Sequence, residues 1–250
     1  MRLRFFLPQR AQSYYTEVAK KMAFPVFSIN TKFMKAPETL VARSIDDLAH
    51  AYSILAESEE LGCDTETAGF NARRCRLLSV QMSDGTFSVL VPVSEGVALG
   101  PLARLLASPD HVKIFHNAKF DLRFLEEAGY SVRRVYDSMI AEKLITRGAD
   151  QSSSLAETLY RYFAVDLDKS HRETFTNKRW DGRWTPELVA YALGDVVHLP
   201  ELKRRQEAWL ERLKLMKQFT EKMRKLMPAE AESINCDEGK DVGDARVVNY

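Results

Sequence analysis

The chain has 250 residues, 45% of them hydrophobic and 28% charged, a composition typical of folded globular proteins and not of disordered or fibrous ones. No stretch approaches the roughly 18 consecutive apolar residues of a membrane-spanning helix, so we expect no membrane association. The three cysteines lack C-x-x-C spacing, which argues against a disulfide framework and favours a reducing compartment, the cytoplasm. A net charge of +1 excludes a globally basic, histone-like binder.

The uneven distribution of charge predicts three regions. Residues 1–38 are predicted to form a basic arm, because the first 36 positions contain seven Lys or Arg and one acid. An arm beside the domain is the favoured interpretation, and an organelle-targeting peptide is the alternative. Residues 39–227 are predicted to form one folded domain, and the acidic residues 228–250 a disordered tail.

The first part of the domain is predicted to contain mainly β-strands. Ser44 and Asp47 have the spacing of a capping box and open a helix that continues to Leu55. Alternating apolar residues predict two strands joined by a turn at Ser83–Gly85. In chain order, strands are predicted at Thr39–Arg43, Leu61–Glu66, Leu78–Met82 and Phe87–Val93.

Strand and helix alternate further along the chain, and the last part is helical. An antiparallel start followed by this alternation predicts an α/β fold, with a mixed sheet of about five strands flanked by helices, the first three antiparallel. The predicted strands are Val112–Phe115 and Val132–Tyr136; the predicted helices are Pro101–Ala107, Asn117–Ala128, Ser138–Ile145, Leu155–Phe163 and Pro186–Met227.

Carboxylates occur at three places that a fold alone does not require. Asp64 and Glu66 are two apart on a predicted strand, so both point to one face, where their charges repel. Asp121 lies in the first turn of a predicted helix, and Asp195 lies one turn after Tyr191 on another. Each has a structural alternative when taken singly: an exposed strand end, a favourable acid at a helix start, or a Tyr–Asp hydrogen bond.

Together, the four carboxylates predict a metal site. Ligation by oxygen alone suits hard divalent ions such as Mg²⁺ or Mn²⁺. Four carboxylates are more than one magnesium ion usually takes, so we expect two ions. Sites of that kind hold the ions roughly 3.5–4 Å apart and act on the attacking and leaving oxygens of a phosphoryl displacement.

The three acidic motifs resemble those of the DEDD superfamily of 3'-5' exonucleases. They are Asp64-Thr65-Glu66-Thr67, Asn117-x-x-Phe120-Asp121 and Tyr191-x-x-x-Asp195, in the expected order. With Tyr191, the third motif resembles that of the tyrosine-bearing subtype, DEDDy. The histidine-bearing subtype would have a histidine five residues before the last Asp, and that position is Ala190. The resemblance is greatest to ribonuclease D, and the Asn117 motif is also similar to the proofreading domain of family-A DNA polymerases. Ribonuclease D usually carries helical HRDC domains, and we expect none in this chain.

This resemblance implies a ribonuclease H-like fold and a metal-dependent hydrolase. Its reaction would cleave the 3'-terminal phosphodiester of RNA and release nucleoside 5'-monophosphates, with single-stranded 3' ends preferred. A DNA-directed or dual-specificity exonuclease is one alternative, and a non-catalytic nucleic-acid-binding module is another. Asp64 would bridge both ions, Glu66 and Asp195 would bind the ion that carries the attacking water, and Asp121 would serve the second ion. Tyr191 would orient the water.

Substrate contacts are predicted on two segments. Thr65, Asn117 and Phe120 adjoin the acids and would shape the substrate groove. Between residues 169 and 184, cations alternate with aromatic residues, a pattern that can bind phosphates and stack bases. The predicted phosphate contacts there are Lys169, Arg172, Lys178 and Arg179; the alternative is a connector whose tryptophans cover the core. Asp137 is interpreted as a helix cap, and the five histidines as structural or exposed.

Overall fold

One mixed sheet organises the chain in its computed structural model. The structure describes residues 37–147, 149, 151–167, 174–175, 177 and 180–227, so nearly all of the predicted arm and the whole predicted tail lie outside the described residues. Within them, the sheet order is β1-β4-β3-β2-β5-β6. The strands are β1 (Glu38–Val41), β2 (Glu60–Thr67), β3 (Leu77–Ser83), β4 (Phe87–Val91), β5 (Val112–Phe115) and β6 (Val135–Asp137).

Strand directions give the sheet two halves. Strands β2, β3 and β4 form an antiparallel meander, whereas β5 and β6 extend the sheet beside β2 in parallel. The mixed sheet and the helical C-terminal part confirm the predicted fold class. The expectation that the first three strands are antiparallel was wrong for β1, which pairs in parallel with β4. A helix connects β1 to β2, and the two strands are not neighbours in the sheet, because β4 and β3 lie between them.

The helices follow the predicted order. The capping box is confirmed, because Asp47 N donates to Ser44 Oγ and Ser44 N donates to the Asp47 carboxylate. None of the described helices has the length and apolar character needed to cross a bilayer. The helices are α1 (Ile45–Leu55), α2 (Leu102–Ala107), α3 (Ala118–Glu127), α4 (Ser138–Thr146), α5 (Leu155–Phe163), α6 (Pro186–Val197), α7 (Leu199–Arg212) and α8 (Met216–Leu226).

The C-terminal segment contains three helices where the sequence predicted one. The break between α6 and α7 lies at His198, and Pro200 stands in the first turn of α7. A proline in a helix interior removes a hydrogen bond and clashes with the preceding turn, so it is accommodated at a new helix start. Lys214, with φ +58°, ends α7 before α8 begins.

Two apolar clusters cover the two faces of the sheet. One contains buried residues of α1, α2 and α3 with Phe115 of β5. The other contains buried residues of α4 to α8 with Ile114, the adjacent position of the same strand. Because successive side chains of a strand point to opposite faces, the helices form two layers with the sheet between them.

A buried polar network joins three helices of the second layer. Glu142 of α4 is 1% exposed. Its carboxylate accepts hydrogen bonds from Arg161 of α5 at 2.9 Å and from Gln206 of α7 at 3.0 Å. His116 lies 2.8 Å from Ser138 Oγ and 2.8 Å from the Ser153 carbonyl oxygen, as expected for a structural histidine. Burial lowers the pKa of His116 to about 4.

Candidate active site

Three predicted metal ligands converge between β2 and α6. Asp64 and Glu66 alternate along β2 and are joined by Asp195, and one carboxylate oxygen from each lies within 4.8 Å of the others. Magnesium binds oxygen at about 2.0–2.1 Å, so small torsional changes allow one cation to contact all three side chains. The oxygen-only donor set fits a hard divalent cation.

Gly62 allows α6 to approach β2 this closely. A Cβ atom at position 62 would lie 2.3 Å from the Val196 carbonyl oxygen and 3.0 Å from Leu199 Cβ. Val196 directly follows Asp195, and Gly62 precedes Asp64 by two residues. The glycine therefore sets the distance between the two segments that carry the acids. The sequence interpretation missed this role, although a glycine inside a strand is a known sign of close backbone approach.

The electrostatics of the cluster favour a bound cation. Burial raises the pKa of Asp64 well above its usual value, and the charges of Asp121, Asp195 and Glu66 raise it further. A carboxylate surrounded by other carboxylates is costly to ionise in a desolvated site. A divalent cation reverses this cost, because its charge dominates the local potential.

Asp121 lies beside this group and is held by the strand between the acids. Its carboxylate accepts hydrogen bonds from the backbone N–H of Thr65 at 3.1 Å and from the Thr65 hydroxyl at 2.7 Å. Asp121 is 2% exposed, and burial raises its pKa to about 7 against the opposing effect of these hydrogen bonds. Thr65 is itself 5% exposed, so its hydroxyl supports Asp121; its predicted contact with substrate stays a prediction.

The helix that carries Asp121 is held at its start by Asp137. This buried carboxylate accepts hydrogen bonds from Asn117 N at 3.2 Å and Ala118 N at 2.9 Å, and it also caps α4 through Met139 N and Ile140 N. The interpretation of Asp137 as a cap is confirmed.

Asn117 lies outside the helix. Its φ of +74° is left-handed, so α3 begins one residue later than the predicted helix Asn117–Ala128. It is exposed at the start of α3. Its predicted part in the substrate groove stays a prediction.

Tyr191 packs against aromatic residues that precede α6. Its ring centroid lies 6.0 Å from that of Phe175, which in turn lies 5.2 Å from Trp184. Trp184 is buried and donates to Ser94 Oγ at 3.1 Å, in agreement with the alternative that tryptophans of this connector cover the core. The four predicted phosphate contacts lie outside the described residues: Lys169, Arg172, Lys178 and Arg179.

An exposed aromatic residue stands near the acids and was missed by the sequence interpretation. Phe70 is 85% exposed and follows Glu66 by four positions. Its ring contacts that of Phe120, edge to face, at 6.4 Å. Phe120, one of the predicted groove residues, directly precedes Asp121. The signal in the sequence was a phenylalanine between a glycine and an asparagine, where no strand or helix pattern explains it.

Known proteins resemble the chain both in sequence and in fold. A family profile described as a 3'-5' exonuclease matches residues 41–207. Ribonuclease D of Jannaschia sp. (strain CCS1) is 32% identical over 202 residues, which are 78% of this chain and 50% of the relative. Brucella melitensis NrnC, solved bound to pGG, is 25% identical with a TM-score of 0.63, covering 83% of this chain and 97% of NrnC. NrnC has also been solved with bound Mg²⁺.

Escherichia coli RNase D gives a TM-score of 0.65 at 21% identity over 76% of this chain and 49% of that protein, which supports the ribonuclease H-like fold. The chain covers half or less of the ribonuclease D relatives that it matches. The covered shares of three of them are 50%, 41% and 38% of their length. The family profile, however, covers 167 of the 250 residues and includes β2, α3 and α6, which carry all four acids. The chain therefore belongs to the 3'-5' exonuclease family of hydrolases.

Proposed function

We propose that this protein is a ribonuclease D-like enzyme that hydrolyses the 3'-terminal phosphodiester of RNA and releases nucleoside 5'-monophosphates. The observation that carries the proposal is the convergence of Asp64, Glu66 and Asp195, whose carboxylate oxygens lie within 4.8 Å of one another. The fourth acid, Asp121, is buried beside them. The resemblance to ribonuclease D relatives supports RNA as the substrate class.

The four acids would hold two divalent ions, Mg²⁺ or Mn²⁺. When bound, such ions supply Lewis-acid chemistry that activates water and stabilises charge on the phosphate. The protein's part is to hold the carboxylates close against their mutual repulsion, through the contact at Gly62 and the hydrogen bonds from Thr65 to Asp121.

Tyr191 would orient the attacking water through its hydroxyl group. It lies one helical turn before Asp195 on α6, and its ring packs against Phe175. Because packing restricts the ring, the hydroxyl can be held in one direction. Replacing Tyr191 by Phe removes the hydroxyl and keeps the ring contact, so this variant separates orientation of water from packing.

The terminal base would stack near Phe70 and Phe120. An exposed aromatic ring offers a surface on which any base can stack, which suits an enzyme without sequence preference. A base paired in a duplex must leave its partner before it can stack there. We therefore expect single-stranded 3' ends to be degraded faster than blunt duplex ends.

Cleavage of very short oligonucleotides is a second candidate function. The observation that favours it is the likeness to NrnC, which was solved bound to pGG and is 25% identical to this chain with a TM-score of 0.63. The two candidates differ in the substrate length at which hydrolysis is fastest.

The test is hydrolysis of 5'-labelled single-stranded RNA of two, four, eight and sixteen nucleotides, with matched DNA, in Mg²⁺ or Mn²⁺. A ladder that shortens from the 3' end, release of 5'-monophosphates and loss of activity in excess chelator are the expected results. Faster hydrolysis of the dinucleotide than of the sixteen-mer would favour the second candidate. Internal cleavage, or undiminished activity of Asp64→Asn, would contradict the proposed function.

A further inference from the structure

Three arginines lie close together in the loop that follows β2. Arg73, Arg74 and Arg76 lie within four positions between β2 and β3, and all three side chains are exposed. Among the described residues, no carboxylate forms an ion pair with any of them. By contrast, Arg204 and Arg205 of α7 are paired with Glu201. The loop therefore concentrates positive charge that the described part of the chain leaves uncompensated.

Internal contacts order this loop before any ligand binds. The carbonyl oxygen of Asn71 accepts hydrogen bonds from Arg74 N at 3.0 Å and Cys75 N at 2.8 Å, and its side-chain oxygen accepts one from Arg73 N at 3.1 Å. The Cys75 side chain lies directly against Gly69, whose missing Cβ would be 2.7 Å from Cys75 Sγ. A preordered loop presents its guanidinium groups without the entropy cost of ordering a flexible segment.

The loop lies at the C-terminal end of β2, close in sequence to the acids of the candidate active site. It leaves β2 immediately after the segment that carries Asp64 and Glu66, and Phe70 belongs to it. An RNA strand whose 3'-terminal base stacks near Phe70 would therefore place the phosphates of its preceding nucleotides close to this loop. Arginine suits such a contact, because its planar fork binds phosphate oxygens in pairs.

We propose that Arg73, Arg74 and Arg76 form a phosphate-binding surface for the nucleotides upstream of the scissile bond. The proposal rests on the proposed function and adds a length dependence to it. Strands of several nucleotides reach this surface, and a dinucleotide, which has a single internal phosphodiester at the acids, does not. The arginines thus raise affinity for longer single strands and leave the chemistry at the metal ligands unchanged.

The test compares a triple variant, Arg73→Gln with Arg74→Gln and Arg76→Gln, with a charge-matched control. The control removes three exposed cations from α8 through Lys217→Gln, Lys222→Gln and Arg224→Gln. Binding of 5'-fluorescent RNA eight-mers is measured by anisotropy in the Asp64→Asn background, at several salt concentrations. Hydrolysis of dinucleotide and eight-mer is measured with Asp64 intact.

The expected result is about tenfold or greater weakening of eight-mer binding in the arginine variant, with a salt slope smaller by about 0.7 for each lost contact. Dinucleotide hydrolysis stays at the wild-type rate, and the α8 control binds the eight-mer like the wild type. Unchanged eight-mer affinity, an equal loss for the dinucleotide, or an equal loss in the control overturns the proposal. Absence of hydrolysis by the wild-type protein overturns the proposed function instead, and the binding measurement still decides on the loop.

Discussion

The carboxylate of the buried polar network and those of the candidate active site have surroundings of opposite charge. In the polar network of the second helical layer, Glu142 is 1% exposed, forms an ion pair with Arg161 and accepts a hydrogen bond from Gln206. In the candidate active site, the charges that act on Asp64 are three other carboxylates, and all of them raise its pKa. The charge of Glu142 is compensated within the chain, whereas the charges of the candidate active site are ones that a bound cation would compensate.

We expect this difference to distinguish acids that stabilise the fold from acids that take part in the proposed reaction. Removing one partner of a buried, paired charge leaves the other uncompensated and destabilises the protein. Removing one of several repelling charges relieves the fold and damages only the function. Substitutions in the two groups are therefore expected to have opposite effects on stability and activity.

The largest effect is expected for Asp64→Asn, which keeps the side-chain shape and removes the charge. Exonuclease activity should fall by about 10³-fold or more, because the stabilisation from bound metal is worth several kcal/mol. The unfolding midpoint of the metal-free protein at pH 7 should be unchanged or higher, since ionised Asp64 is disfavoured in the fold. Activity assays and thermal unfolding measure both, and Asp46→Asn on the exposed side of α1 is the control. A large loss of stability would place Asp64 with the structural acids.

A smaller effect is expected for Gly62→Ala, which forces β2 and α6 apart without changing any acid. A methyl group 2.3 Å from the Val196 carbonyl oxygen requires a backbone shift next to Asp195. We expect activity to fall by about 10²-fold, since a misplacement of about 1 Å is enough for such a loss. Calorimetric titration with Mn²⁺ should show weaker binding.

The control for this substitution is Gly194→Ala, which adds the same methyl group beside Asp195 where the nearest atom, Leu167 Cδ2, is 3.7 Å away. It should keep its metal affinity and gain up to about 1 kcal/mol of helix stability. Equal Mn²⁺ affinities of the two alanine variants would show that the close approach at Gly62 does not position the acids.

In the structural group, Arg161→Met should lower the free energy of unfolding by about 2–3 kcal/mol, because Glu142 stays buried without its cation. The turnover number should remain that of the wild type. Urea denaturation followed by circular dichroism measures the change. Arg183→Met is the matched control, since Arg183 and Asp181 form an exposed pair, with side chains 86% and 64% accessible. Its loss should stay below about 1 kcal/mol.

The smallest effect is a pH dependence from His116. Its pKa is about 4 in the fold and about 6.5 in the unfolded chain. Below pH 6.5 the unfolded chain binds a proton that the folded protein does not, so this contribution is lost as pH falls from 6.5 towards 4. Between pH 7.5 and pH 5, the wild type should lose about 2 kcal/mol more than His116→Gln. Equal losses in paired urea titrations would contradict a neutral, buried His116.

The sequence predicted the elements better than their contacts. Alternation of apolar residues located β3 and β4, and the three acidic motifs indicated the candidate site. The contact of Gly62 with Val196 could not be predicted, because it joins positions far apart in the chain. The break at Pro200 was visible in the sequence and was overlooked, since the surrounding helical pattern is strong. The exposure of Phe70 depends on how the loop folds over Cys75.

The candidate metal site combines residues from distant parts of the chain, and this has a consequence for synthesis of the protein. Asp64, Glu66 and Asp121 come from the first half of the chain, and Asp195 follows Asp64 by 131 positions. A growing chain emerges from its N-terminus, so the sheet and its first helical layer are made before α6 exists. During that interval Asp195 has not been made, and Gly62 has not formed its contact with Val196. The candidate active site is therefore completed late, when nearly the whole domain has been translated.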